Sequence, residues 1–243
     1  MRISVCIPMY NENAVIKSTA ESLFEYMTET FGKGSFEIIF ADDGSLDGCG
    51  DTVRALGLDG VRVIGYEKNR GKGYAVRAAV LAAEGDIVMF TDADLAYGTQ
   101  VIGRAVEMLD SSPDADMLIG SRNLSSDGYE GYTPLRKIMS KTYIKMLSVV
   151  GGFKLSDSQC GCKAFRREAA RKIFKRCEVD GFAFDFEAIL WANKYGMRIV
   201  EMPVKVINSG ESKVNIVKDT VKMLRDLVKM KKRISREKVE KNK

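Results

Sequence analysis

The sequence predicts an α/β fold, a mostly parallel, doubly wound sheet whose second half carries an elaboration. Three observations predict it. Short apolar or β-branched runs alternate with stretches of helical period over the first 121 residues, polar residues cluster immediately after those runs, and a polar, glycine-rich stretch at 122–134 then interrupts the alternation. Strand alternating with helix implies parallel strands joined by right-handed crossovers.

The first strand is expected at 2–8 (RISVCIP), an apolar run that stops at Tyr10-Asn11-Glu12. A helix follows over 13–28, because Val15, Ile16, Thr19, Ala20, Leu23, Phe24 and Met27 recur on one face. The second strand, 36–41 (FEIIFA), runs into Asp42-Asp43-Gly44-Ser45, and a helix is expected over 45–57. The third, 61–66 (VRVIGY), precedes Lys68-Asn69-Arg70-Gly71-Lys72 and an alanine-rich helix at 72–84. A fourth, 86–91 (DIVMFT), delivers Asp92-Ala93-Asp94, and 116–121 (DMLIGS) reads as a fifth. In such sheets ligands bind beyond the carboxyl ends of the strands, where these four polar loops gather. The second half is expected to cover that crevice. No internal repeat or low-complexity linker divides the chain, so residues 1–215 are expected to form one domain and 216–243 a basic amphipathic helix or tail.

Composition narrows the chemistry. The chain has 243 residues, 45% of them hydrophobic, enough for one large domain with a sizeable core. Nowhere do about 18 uncharged apolar residues run together, so neither a transmembrane span nor a signal peptide is expected. The five cysteines are an odd number, consistent with reduced cytosolic thiols. Histidine is absent, which excludes Cys/His metal sites as well as Ser-His-Asp and Cys-His catalysis. A general base must be a carboxylate, a lysine, a cysteine, a tyrosine or the substrate itself. The net charge of +5 sits unevenly, since residues 218–243 hold eleven Lys/Arg against four Asp/Glu, a net +7, leaving −2 on residues 1–217. A nearly neutral body argues against a nucleic-acid face.

The acidic pair Asp92/Asp94 at a strand end is compatible with a helix cap, a solvated turn or a metal site. A hard divalent cation, Mg²⁺ or Mn²⁺, takes one or two carboxylates and completes its shell with phosphate oxygens and water. Neither Gly-x-x-x-x-Gly-Lys-Ser/Thr nor Gly-x-Gly-x-x-Gly follows the first strand, where Pro8-Met9-Tyr10-Asn11-Glu12 stands instead. That removes the P-loop and dinucleotide-dehydrogenase classes.

Seven stretches, VCIPMYNEN, IIFADDGSLDG, NRGKGYAVRAA, GDIVMFTDADLA, IGSR, SQCGCKAF and FAFDFE, resemble in order the motifs of inverting family 2 glycosyltransferases of the GT-A fold. Within that family the chain is most similar to the polyprenyl-phosphate sugar synthases, in particular the dolichyl-phosphate β-glucosyltransferases. The resemblance spans residues 3–213. It implies a nucleotide-diphosphate sugar donor, with Pro8, Tyr10 and Glu12 lining the base and ribose pocket. Asp42 would accept hydrogen bonds from base or ribose, and Gly71 and Lys72 would lie against the nucleotide. Asp94 would ligate the metal directly, and Asp92 would contact ribose or metal-bound water. Of Asp42 and Asp43, one is expected to serve only the turn.

On the acceptor side the resemblance implies that Arg122, Arg136 and Ser140 hold a lipid phosphate. A planar guanidinium suits bidentate capture of a phosphate dianion, and Arg136 and Ser140 share a helical face at i, i+4. Lys163 and Lys213 would complete the cradle. Two departures stand out: Cys162 replaces the usual aromatic, and Asn208-Ser209-Gly210 stands where mannose synthases carry an arginine, which favours the glucosyl group. Asp185, expected to open a helix over 187–195, occupies the place of the catalytic base in hydroxyl-acceptor members. A phosphate acceptor with its second pKa near 6 needs orientation more than deprotonation, so Asp185 would then organise the site.

The expectation is therefore a metal-dependent inverting hexosyltransferase, moving glucose from UDP-glucose to a dolichyl or other polyprenyl phosphate at the cytoplasmic membrane face. The basic tail would supply peripheral attachment at about 1 kcal/mol per basic residue near an anionic surface, with or without a separate membrane subunit. One alternative is a family 2 enzyme acting on a hydroxyl acceptor in exopolysaccharide or cell-wall glycan synthesis. A silent nucleotide-binding subunit is the other. Donor base, sugar epimer, lipid length and oligomeric state depend on pocket contacts that motifs do not encode.

Overall fold

A computed structural model describes residues 1–128, 142, 144–146, 148–207 and 216–238, the last stretch with side chains from 225 onward. Arg136, Ser140 and Lys213, three of the residues expected to hold the acceptor phosphate, lie outside the described residues, as does Asn208-Ser209-Gly210.

Seven strands form one sheet in the order β3-β2-β1-β4-β6-β5-β7. β1 (Ile3–Met9) lies at its centre, paired in parallel with β2 (Phe36–Asp42) and β4 (Ile87–Phe90). β3 (Val61–Gly65) adds the edge beyond β2, and its partial exposure follows from having one neighbour. The interior strands are buried along almost their whole length because helices cover both faces. Alternation still sorts their side chains: Ile3, Val5, Ile7 and Met9 of β1 enter one core layer and Cys6 the other.

Helices α1 (Asn13–Phe31), α2 (Cys49–Ala55) and α3 (Lys72–Ala82) occupy the expected crossovers, α2 shorter than its expected span. α1 buries Ile16, Thr19, Ala20, Leu23 and Met27, most of the stripe read from sequence. α4 (Gln100–Asp110) was not foreseen, although Val101, Ile102, Ala105, Val106 and Leu109 carry a clear helical period and are buried.

The second half extends the sheet as well as covering it, which revises the expectation of a cover alone. β5 (Met117–Ser121) sits two places from β4, and β6 (Lys163–Arg166) inserts between them antiparallel to both. β7 (Ile199–Pro203) pairs in parallel with β5 at the far edge. Because β6 runs backwards, its first residue, Lys163, stands at the same sheet edge as the last residues of β1, β2 and β4. Register makes this concrete, with Met9 opposite Asp42 and Phe90 opposite Lys163.

Helices α5 (Arg167–Phe174), α6 (Phe184–Lys194) and α7 (Ile216–Arg236) pack on the face that carries α3. Leu227, Met230 and Ile234 of α7 are buried in that core layer, beside α6 residues such as Trp191. In this basic helix positions 227 and 230 face protein, while Arg225, Val228, Lys229, Lys231 and Lys232 face outward. Among the described residues no helix is long and apolar enough to cross a membrane.

Candidate active site

The carboxyl edge of the sheet gathers Tyr10, Asp42, Asp43, Tyr66, Asp92 and Asp94, with Lys163 from the antiparallel strand and Asp185 from the start of α6. Their roles separate once hydrogen bonds are followed.

Asp43 is nearly fully buried and satisfied by protein: it accepts from Tyr66 Oη at 2.6 Å, Asn69 Nδ2 at 2.9 Å, the Arg70 amide at 2.8 Å and the Gly71 amide at 2.9 Å. It therefore shapes the 66–71 loop. Burial and this acceptor push the Tyr66 hydroxyl well above its ordinary pKa, keeping it a donor. Gly71 adopts φ +107°, and a Cβ there would stand 2.5 Å from the Asp180 carbonyl, so the loop demands glycine. Asp42 accepts the Ser45 amide at 2.9 Å as a turn former and lies against Gly50. Both aspartates thus have a structural part, where one was expected. Asn11, at φ 52°, links the first loop to the second by bonds to Ser45 Oγ at 3.0 Å and from the Leu46 amide at 2.9 Å. Pro8 ends buried on β1, whereas Tyr10 is 41% exposed beside it.

The acidic loop after β4 is held from three sides. Thr19 of α1 donates its hydroxyl to the Ala93 carbonyl at 2.6 Å, fixing the residue between the two aspartates. Asp94 Oδ1 accepts the Ala96 amide at 3.0 Å. Lys72, first residue of α3, donates its ammonium to Asp92 Oδ1. Gly161 closes the remaining side, since a Cβ at that position would lie 2.3 Å from Asp92 Oδ2. The glycine of Cys-Gly-Cys is thereby explained. Its cysteine neighbours are buried and unbridged, and burial raises the Cys160 thiol to about 11.

Lys163, expected in the acceptor cradle, is wholly buried. Its ammonium donates to Asp185 Oδ1 at 2.5 Å and to the Cys160 carbonyl at 2.7 Å, so its charge is met inside the protein. Asp185 sits inside the first turn of α6, not at the cap expected for it, because the helix starts at Phe184. Burial pushes its carboxyl up from the ordinary carboxylate value and Asp92 adds to that, while Lys163 and Lys72 pull it down. For Lys72, burial acts downward, but Asp92, Asp185 and Asp94 outweigh it and hold the ammonium charged.

Arg122 stands in the short 3₁₀ turn 122–124 after β5. Its guanidinium grips the fully buried Asp157 through Nε at 2.6 Å and Nη2 at 2.9 Å. The bidentate fork foreseen for a phosphate is thus engaged by a carboxylate. Asp157 was not singled out from sequence, and nothing short of the tertiary pairing marks it.

A divalent cation fits Asp92 and Asp94. Burial first and Asp92 second raise the Asp94 carboxyl, with Glu12 adding to the excess of negative charge. A cation would relieve that excess. No preformed cluster of three or more His, Cys, Asp or Glu ligands exists among the described residues. The set therefore suits a hard cation that completes its shell with substrate oxygens and water.

The family model for glycosyl transferase family 2 matches residues 4–174. The dolichyl-phosphate beta-glucosyltransferase ALG5C of Trichomonas vaginalis is 30% identical over 219 residues, covering 86% of this chain and 65% of its own length. The dolichyl-phosphate beta-glucosyltransferase of Dictyostelium discoideum is 30% identical over 227 residues, covering 88% and 68%. The chain thus spans about two thirds of these relatives. Among solved structures, glucosyl-3-phosphoglycerate synthase from Mycobacterium tuberculosis, in complex with Mn²⁺, UDP and phosphoglyceric acid, superposes with a TM-score of 0.72. It shares 19% identity and covers 98% of this chain and 80% of its own. That likeness is one of fold, GT-A.

Proposed function

The chain belongs to glycosyltransferase family 2, and from that premise we propose that it transfers glucose from UDP-glucose to the phosphate of a dolichyl or related polyprenyl lipid, with inversion. The observation that carries this reading is the carboxyl-edge constellation of Lys72, Asp92, Asp94 and Asp185, combined with relatives named for that reaction.

The donor lies along Pro8, Tyr10, Glu12, Asp42 and the Gly71-Lys72 turn, which Asp43 holds in shape. Lys72 supplies positive charge where the diphosphate leaves, exchanging its Asp92 contact for phosphate oxygens. Asp92 and Asp94 would hold Mg²⁺ or Mn²⁺, which would supply positive charge against the departing diphosphate. An acceptor phosphate oxygen forms the bond to the anomeric carbon from the face opposite the diphosphate. The carbon–oxygen bond to UDP breaks and UDP departs with the electron pair, so an α-linked donor gives a β-linked product. The acceptor oxygen is already anionic near neutral pH and gives no proton to the enzyme. Asp185, fixed by Lys163, orients the reacting groups and stays unprotonated in the step.

Arg136, Ser140 and Lys213 take the lipid phosphate by resemblance. Arg122 walls the site by holding Asp157. The outward basic face of α7 supports peripheral attachment to an anionic, cytoplasmic membrane surface. Transfer from a panel of labelled nucleotide sugars to short-chain polyprenyl phosphate, with Mn²⁺ and an EDTA control, tests the proposal. Labelled lipid from UDP-glucose that EDTA abolishes is the expected result, and nucleotide binding without lipid product from any donor would overturn it.

One observation favours a hydroxyl acceptor as the second reading: burial raises the Asp185 carboxyl toward the range of a general base. In that case the hydroxyl proton passes to Asp185 as the glycosidic bond forms. Asp185→Asn then abolishes turnover, whereas a phosphate acceptor leaves a measurable fraction.

A further inference from the structure

We infer that Arg233 of α7 is a positioning residue for the donor rim, acting through buried Glu187 and the 178–181 loop. The inference deepens the proposed function and rests on it for the identity of the donor.

The path is a chain of polar contacts. Arg233 pairs with Glu187 of α6 and with Glu178. Glu187 is completely buried and an arginine is its ionic partner, so the pair is one whose disruption strands a charge. The second Glu187 oxygen accepts the Glu178 amide at 2.9 Å and the Val179 amide at 2.8 Å, which sets the course of the loop. One residue on, the Asp180 carbonyl accepts the amides of Gly73 at 2.8 Å and Tyr74 at 3.2 Å, two N–H groups of the first turn of α3. The Asp180 side chain meets Arg77 of the same helix at 2.5 Å. Two glycines allow this approach: a Cβ on Gly71 would meet the Asp180 carbonyl at 2.5 Å, and one on Gly73 the Val179 carbonyl at 2.5 Å. The 178–181 loop is therefore built against the turn that carries Lys72.

α7 and the turn that carries Lys72 face each other across open space at this point. An open groove of ≈ 770 Å³ separates them, with Arg70 and Gly71 on one wall and Met230 and Arg233 among the others. The loop bridges that gap. When Arg233 loses its charge, Glu187 seeks solvent or a proton, the 178 and 179 amides lose their acceptor, and Asp180 no longer seats the Gly71–Tyr74 turn. The same loop leads into α6, so Asp185 moves with it.

UDP binding in the presence of Mn²⁺, measured by calorimetry, is the first readout, and amide hydrogen exchange at residues 71–74 is the second. Arg233→Met is expected to weaken UDP binding about tenfold, to raise KM more than it lowers kcat, and to speed exchange at 71–74. Arg233→Lys retains most affinity. Arg233→Met combined with Glu187→Gln restores it, because glutamine still accepts the loop amides and leaves no charge stranded. Should Arg233→Met fail to fold, the milder Arg233→Gln carries the same expectation. Unchanged UDP affinity and unchanged exchange at 71–74 in a folded Arg233 variant would overturn the inference, as would a folded double variant that stays impaired. If the wild-type protein binds no UDP, the donor reading fails, and exchange at 71–74 alone decides the role of Arg233.

Discussion

Lys163 and Asp185 form an ion pair at 2.5 Å in which the lysine is wholly withdrawn from solvent and the aspartate nearly so. The pair joins the one reversed strand to the first turn of α6. Breaking it from one side is costly, since the surviving charge has no water to receive it. Lys163→Met is expected to cost about 3–5 kcal/mol, and the double variant with Asp185→Asn to recover much of that loss. Urea unfolding of the two variants measures both. A Lys163→Met cost below 1 kcal/mol would mean that Asp185 is neutral in the folded protein.

The same pair predicts a pH dependence. Burial raises the Asp185 carboxyl above its unfolded value of 3.8, so the folded state holds the proton more tightly than the unfolded chain. Stability from this group is therefore fullest below the ordinary value and declines as pH rises from there to the raised one. Thermal unfolding of the wild type, compared with Asp185→Asn/Lys163→Met across mildly acidic pH, should show the wild type losing ground as pH increases. A gain would reverse the sign assigned to burial.

Asp94→Asn separates stability from chemistry. Burial and Asp92 already disfavour the Asp94 charge, so removing it leaves the metal-free protein as stable as wild type or more so. Turnover should fall by about 10²–10³-fold, and Mn²⁺ should no longer raise the melting temperature. A full Mn²⁺-dependent shift in this variant would remove Asp94 from the metal site.

Gly161→Ala tests the wall behind Asp92. A methyl 2.3 Å from Asp92 Oδ2 forces the carboxylate aside, with consequences for Lys72 as well. Catalysis is expected to fall about 10²-fold through misplacement while far-ultraviolet circular dichroism stays native. Wild-type turnover would show that the acidic loop yields without loss.

Asp43→Ala removes one acceptor from four donors on the 66–71 loop. Stranded donors cost about 1–3 kcal/mol each, partly recovered by water. The variant should be destabilised by roughly 3 kcal/mol and bind UDP poorly, both readable in one thermal-shift titration. Asp42→Ala should cost stability far less, since it gives up one turn bond.

The sequence by itself determined the parallel half of the sheet and the edge at which the site lies. Apolar runs that give way to the loops carrying Glu12, Asp43, Lys72 and Asp94 place those loops beyond the strand ends, because local period fixes strand and helix and handedness fixes the crossovers. It also supplied the family, through motifs whose order survives where single identities do not. Partnership was beyond it. That Asp157 faces Arg122, that Lys163 answers Asp185, and that Arg233 reaches Glu187 depend on pairings across 35, 22 and 46 residues of chain. Such charges look alike in sequence, as solvated surface groups. Only packing decides which are withdrawn from water, and a charge withdrawn from water must have a partner. The tertiary structure thus gives Arg122 and Lys163, two expected phosphate ligands, internal carboxylate partners. It likewise makes the stripe at Leu227, Met230 and Ile234 of the basic helix a wall of the core, since α6 is there to bury it.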